Sequence, residues 1–120
     1  YTSSLNKCDY AVSHHGANMC HLMADKVKSR DALKAISNDR PQEYFQEKEL
    51  ALLQYTRKLT LTPSVLVETD IEKLRASGAI DKEILETNQV VASFAYSNRV
   101  ISGLGVTLGD EPIGFYVEKQ

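Results

Sequence analysis

The sequence predicts an all-α protein. Three observations carry that expectation: apolar residues recur at helical spacing over long windows, acidic capping residues open several of those windows, and short polar turns containing Gly or Pro separate them. The chain has 120 residues, which suits one domain spanning 1–120, with 105–120 as an extended C-terminal tail. A domain of this size buries enough surface to fold without a disulfide or a metal.

The first window opens with a short helical stretch, Tyr1–Leu5, so the sequence reads as beginning inside a helix. Asn6 is expected to cap the next helix, with Asp9 three residues on as a weak capping box. Cys8, Ala11, Val12, His15, Met19 and Leu22 follow the i, i+3, i+4, i+7 rule and form a narrow stripe on a helix ending near Ala24–Lys28. A short helix is expected around Arg30–Ile36, then a turn over 37–41, with Pro41 in the first turn of the following helix. That helix, Gln42–Leu59, places Phe45, Leu52, Leu53, Thr56 and Leu59 on a broad face.

Thr69-Asp70-Ile71-Glu72 reads as a capping box that starts a short helix ending at Gly78. Asp81 is expected to cap the longest helix, Lys82–Gly103. Its apolar residues surround more of the cylinder than one core face requires. That width predicts burial on two sides, by the domain's own core and by a neighbouring subunit; the alternative is a central helix buried within one domain. After Leu104, Gly105, Gly109, Pro112 and Gly114 punctuate a tail ending in Phe115-Tyr116-Val117, expected to dock on its own domain or a partner.

Composition narrows the function. Net charge is −2, with 14 basic and 16 acidic residues, and no basic stripe interleaved with aromatics points to nucleic acid. No apolar run approaches the roughly 20 residues that span a bilayer, and no signal-peptide pattern opens the chain, so neither a membrane nor an exported location is expected and the cytoplasm is the default. Cys8 and Cys20 on one helix would lie roughly 18 Å apart along its axis, too far for a disulfide, which needs Cα atoms within about 7 Å.

The chemistry concentrates in residues 6–16. Cys8 is expected near a helix start, where free N–H groups and the positive dipole end favour a thiolate, although Asp9 opposes this. His15 lies two turns along, roughly 10 Å away, beyond direct hydrogen bonding to Cys8. The position able to touch both is 11, and it holds alanine. The bland reading makes Cys8 a small core hydrophobe and His15 a hydrogen-bonded core histidine. His14 is expected to be structural or at a subunit contact, Tyr10 to pack, and Cys20 to fill the core. Asn98 and Arg99 are candidates for a polar interior or subunit contact. A metal site on this helix is disfavoured: His14 and His21 are seven residues apart, and no His-x-x-x-His pair exists.

Cys8-x-x-Ala11-x-x-x-His15 at a helix start resembles the Cys-x-x-Cys-x-x-x-His motif of the alkylhydroperoxidase D / carboxymuconolactone decarboxylase family, with alanine in place of the second cysteine. The run Cys8-Asp9-Tyr10-Ala11-Val12-Ser13-His14-His15-Gly16-Ala17 is similar to its peroxidase-related branch. The segments 50–60, 70–84, Asn98-Arg99 and Gly103-Leu104-Gly105-Val106 continue the likeness. The resemblance implies an oligomeric helical fold and a thiol peroxidase cycle with no cofactor or metal, acting on a hydroperoxide with an external thiol reductant. In that cycle a glutamate acts through water and the histidine, the second cysteine attacks the peroxide, and the first resolves the sulfenic acid. Carried over, the first cysteine is Cys8, the histidine is His15, the attacking thiol's place is held by Ala11, and the glutamate's position falls before Tyr1. Three readings stay open: a single-thiol peroxidase using Cys8, a lyase using His15 as general acid/base on a small carboxylated lactone, and an inactive oligomeric module.

Overall fold

The computed structural model describes residues 1–116, all of whose regular structure is helical. Six α-helices follow one another: α1 (Thr2–Leu5), α2 (Asp9–Leu22), α3 (Lys26–Ser37), α4 (Glu47–Leu61), α5 (Glu68–Ala76) and α6 (Asp81–Gly103), with 3-10 turns at Pro41–Glu43 and Pro63–Val65. The all-α expectation holds, and so do the bounds of the longest helix to within one residue. Among the described residues, no helix is long and apolar enough to cross a membrane.

Several caps differ from the sequence reading. Asn6 closes α1 instead of opening α2, because Lys7 takes a left-handed conformation (φ 54°) and resets the chain direction. Cys8 is therefore the N-cap residue of α2, one position outside the first turn. α2 stops at Leu22, short of Ala24–Lys28, because Asp25 starts the next helix: its side chain accepts from the N–H groups of Val27 and Lys28, both at 3.0 Å. α3 accordingly begins four residues before Arg30. Pro41 belongs to a separate 3-10 turn, and α4 starts at Glu47 rather than Gln42. Phe45 thus lies outside α4, against Tyr44. Val67, not Thr69, is the N-cap of α5, and Asp70 accepts its N–H at 2.9 Å. Ile80, not Asp81, is the N-cap of α6, and Glu83 accepts its N–H at 2.9 Å. At α5 the acidic partner is Asp70 where Glu72 was expected, and at α6 it is Glu83 where Asp81 was expected to cap.

The main apolar core forms where α4, α5 and the start of α6 meet, around Tyr55, Leu74, Ala79 and Ile84. A second layer joins α1, α2 and α3, where Cys8, Ala11, Ala32, Ala35 and Ile36 are buried. Gly16 permits the close approach of α2 to α3: a Cβ there would lie 3.3 Å from the Leu33 methyl groups. Short α1 is wedged between these layers, with Thr2 and Ser3 buried. Ser3 donates to Asn98 Oδ1 on α6 at 3.2 Å, so Asn98 takes the polar interior role expected of it. Arg99 instead stays exposed and donates to the Ala95 carbonyl.

Leu85, Tyr96 and Val100 are exposed along α6, so among the described residues it is not buried on all sides. The radius of gyration, 15.2 Å, exceeds the about 13.6 Å expected of a compact 120-residue domain. The tail turns back and docks on α2, as anticipated for 105–116; Val117 lies outside the described residues.

Candidate functional site

Ala11 and His15 occupy successive turns of the same face of α2, and both line a cavity of about 470 Å³. α2 contributes Val12, Gly16 and Met19 to its wall, α3 contributes Leu33 and Ile36, and α4 contributes Leu52, Leu53 and Thr56. α6 closes another side with Glu83, Glu86, Thr87, Val90, Val91 and Phe94, and residues 1–4 complete it. The volume falls within the range of small-molecule sites, and the wall is mainly apolar with a few polar groups, as such sites are.

Cys8 does not line this cavity. It is buried at the N-cap of α2, one helical turn before Ala11, and its N–H donates to the Ser3 carbonyl at 3.0 Å. The sequence-derived trio is thus divided: Ala11 and His15 share the cavity wall, and Cys8 sits behind it. Cys8 and Cys20 are both free thiols. Cys20 is half-buried rather than a fully buried filler. Among the described residues, no group of three or more His, Cys, Asp or Glu is placed to hold a metal ion.

His15 is exposed as a residue, yet its ring packs edge-on against Phe94, with centroids 4.7 Å apart. This partial removal from water, followed by the neighbouring His14, holds its pKa below the ordinary imidazole value. The neutral ring is therefore favoured near pH 7, leaving one nitrogen to accept a proton and the other to donate one.

The charged side chains on the wall are carboxylates. Glu83 is fully engaged: Oε1 accepts from Lys48 at 2.7 Å and Oε2 from the Ile80 N–H. Lys48 first, then that N–H, hold its carboxyl below the usual range. Among the described residues Glu86 pairs only with Lys82, 3.7 Å away on the exposed side of α6. No lysine or arginine lines the cavity among the described residues. The Thr56 hydroxyl is committed to the Leu52 carbonyl at 2.8 Å.

Sequence reasoning did not anticipate Glu83, Glu86 or Phe94 at the site; each is an ordinary residue of an amphipathic helix until α6 crosses α2. Tyr1 was also missed. It lines the cavity, and its hydroxyl donates to Asp39, which Arg57 grips through both carboxylate oxygens at 3.0 Å. Burial, then Asp39, push the Tyr1 phenol pKa upward, and Arg57 leads in lowering that of Asp39. These residues are far apart in sequence, so no local spacing signals the cluster.

His14, expected to be structural, is buried and turned from the cavity toward the tail. Tyr10 packs against it, with ring centroids 4.6 Å apart, in the packing role expected of it.

No protein-family model matches the sequence. No curated protein matches it either. Among solved structures, the chain is similar to an uncharacterized peroxidase-related protein from Silicibacter sp. TM1040, with a TM-score of 0.80 and 26% sequence identity over 91% of this chain and 55% of that one. The chain thus spans about half the length of that neighbour. It shares the helical fold of a peroxidase-related protein.

Proposed function

We propose that this chain is a peroxidase-related, thiol-dependent oxidoreductase that takes an uncharged organic hydroperoxide into the cavity beside Ala11 and His15. The observation that carries the reading is the cavity wall. It is apolar, holds the two positions at which the family resemblance puts the attacking thiol and the histidine, and bears two glutamates but no lysine or arginine. A carboxylated lactone would enter as an anion beside Glu83 and Glu86 with no lysine or arginine on the wall to meet it, and desolvating it there would be costly. An alkyl hydroperoxide carries no such charge. The name of the structural neighbour agrees with this choice.

With Ala11 in place of the attacking thiol, the thiol this reading uses is Cys8, buried one helical turn before Ala11. The Cys8 thiolate attacks the peroxide oxygen; the S–O bond forms, the O–O bond breaks, and the departing alkoxide takes a proton to leave as the alcohol. The sulfur is oxidised to a sulfenic acid, and two external thiols return it to Cys8 with release of water and their own disulfide. His15, neutral and facing the cavity, exchanges protons with what is bound there. Its assembly is as a homo-oligomer, using the exposed apolar row of α6.

The burial of Cys8 favours a second reading, in which His15 alone serves as the general acid/base of a lyase. Brief exposure to stoichiometric cumene hydroperoxide with a sulfenic-acid trap, read by intact-mass spectrometry, separates the two. The expected result is an adduct on Cys8 formed much faster than on Cys20, with hydroperoxide turnover lost in Cys8→Ser. Labelling of Cys8 no faster than Cys20 sinks the peroxidase reading; turnover that survives Cys8→Ser and fails in His15→Ala transfers the chemistry to the imidazole.

A further inference from the structure

The segment after α6 does more than return to the surface. We propose that residues 109–115 form a strap that lays the Phe115 ring over His15, and that His14 and Asn18 are the residues that position it. The proposal takes from the functional reading only the identity of His15 as a site residue.

Two backbone bonds hold the strap to one face of α2. The Gly114 N–H donates to His14 Nδ1 at 3.1 Å, and the Phe115 N–H donates to Asn18 Oδ1 at 2.7 Å. His14 and Asn18 are four residues apart, on successive turns, and both are buried. Consecutive amides of the strap thus meet consecutive acceptors of the helix. Because His14 Nδ1 accepts, the ring's proton resides on Nε2. Nε2 lies 3.7 Å from the Glu111 carboxylate, an electrostatic contact too long for a hydrogen bond. Glu111 is itself oriented by the Gly109 N–H at 2.9 Å. Its own backbone N–H, then that of Gly109, keep its carboxyl below the usual range.

Gly114 makes the approach possible. Its φ is +89°, and a Cβ there would lie 3.0 Å from Asn18 Oδ1 and 3.3 Å from the Ala17 Cβ. With the backbone pinned, the Phe115 ring meets His15 edge-on at 5.7 Å and stacks near His14 at 6.0 Å. His15 is then flanked on two sides, by Phe94 of α6 and by Phe115 of the strap, while part of it stays open to solvent. One residue on, Tyr116 stacks on His21 at 4.7 Å, extending the contact along α2. Phe115 itself is 70% exposed, so the strap is held by its two backbone bonds more than by burial and can open locally without unfolding the domain.

The test reads His15 directly and needs no turnover. The imidazole of His15 is titrated by NMR in the full chain, in Phe115→Ala, in Asn18→Ala and in Phe115→Tyr. The charged or titratable groups around it, His14 on its own helix and the Tyr1 amino group, Glu83 and Glu86 on the cavity wall, are unchanged in all four. Uncovering the ring returns it to water and favours the charged form, so the midpoint is expected to rise toward the ordinary value in Phe115→Ala and Asn18→Ala, and to stay near wild type in Phe115→Tyr. In parallel, the Gly114 and Phe115 amides are expected to exchange slowly in the wild type and rapidly in Asn18→Ala. Loss of that protection with an unmoved His15 midpoint would overturn the covering role; fast exchange of both amides in the wild type would overturn the strap itself. Either result stands whether or not the protein turns over a hydroperoxide.

Discussion

Ala11→Cys tests the placement of Cys8 and position 11 most sharply. Residues three apart on a helix have Cβ atoms about 5–6 Å apart, and a disulfide wants them about 3.5–4.5 Å apart. The helix must therefore yield by roughly 1–2 Å. Cys8 can supply this because it is the N-cap, with non-helical backbone (φ −94°, ψ 86°) and no capping side-chain bond to break. The new sulfur atom has room, since Ala11 lines the cavity. A closed loop of residues 8–11 sets an entropic ceiling of about 1.9 kcal/mol. The closing movement lowers this to about 1 kcal/mol of net gain. With an unfolding entropy of about 2.1 cal/mol/K per residue, that corresponds to a Tm about 4 °C higher for the oxidised variant than for its reduced form. Mild oxidation, mass and thiol counts, and thermal unfolding with and without reductant read the outcome. A folded variant in which both thiols stay free, or in which Cys8 pairs with Cys20 instead, would refute the alignment of this helix with the family pattern.

Leu74 is 2% exposed among Tyr55, Ala79 and Ile84, so Leu74→Ala should cost about 2–5 kcal/mol, or roughly 8–20 °C in Tm, while Leu22→Ala, at 66% exposure, should change stability by no more than about 0.5 kcal/mol. Denaturant unfolding of the two variants side by side checks both values. Tyr96 is 72% exposed in the apolar row of α6, and a carboxylate there should be incompatible with a buried subunit contact. Light scattering on a sizing column should give a wild-type mass that is a multiple of 13.4 kDa and a monomeric mass for Tyr96→Glu; a monomeric wild type would remove the homo-oligomer.

What the sequence revealed and what it hid divide along a physical line. α6 could be placed to within one residue because its signals are local: a continuous apolar pattern and an acidic residue, Asp81, at its start. The start of α2 was misplaced by signals just as local. Asn6 has the chemistry of a cap, yet the left-handed Lys7 makes it the end of α1. Asp25 was passed over because the helix was placed as running on to Ala24–Lys28, and Leu22, on the stripe by spacing, is in fact exposed. The position-11 vacancy and His15 were readable from spacing along one helix. The burial of Cys8, the carboxylates opposite His15 and the aromatic cover on it were not, because each depends on where α1, α6 and the tail come to rest against α2.

The charge of the cavity follows from the same distinction. Glu83 has a structural reason to be where it is: it satisfies the first N–H of α6 and pairs with Lys48 of α4, so the helix start alone accounts for its presence. That it also lines the cavity gives the site a carboxylate without any further demand on the fold. Glu86 is different. Its partner Lys82 is a solvent-exposed i,i+4 neighbour, an arrangement that contributes little to stability. The fold gives no comparable account of Glu86, so its effect on what may enter beside His15 is the more informative of the two. Neutralising Glu83 would weaken a cap and an inter-helix pair together with the cavity charge, and any loss would be ambiguous. Neutralising Glu86 alters the cavity charge almost alone. The proposed preference for an uncharged substrate therefore turns on Glu86, while the thiol question turns on Cys8, and the two can be answered independently of each other.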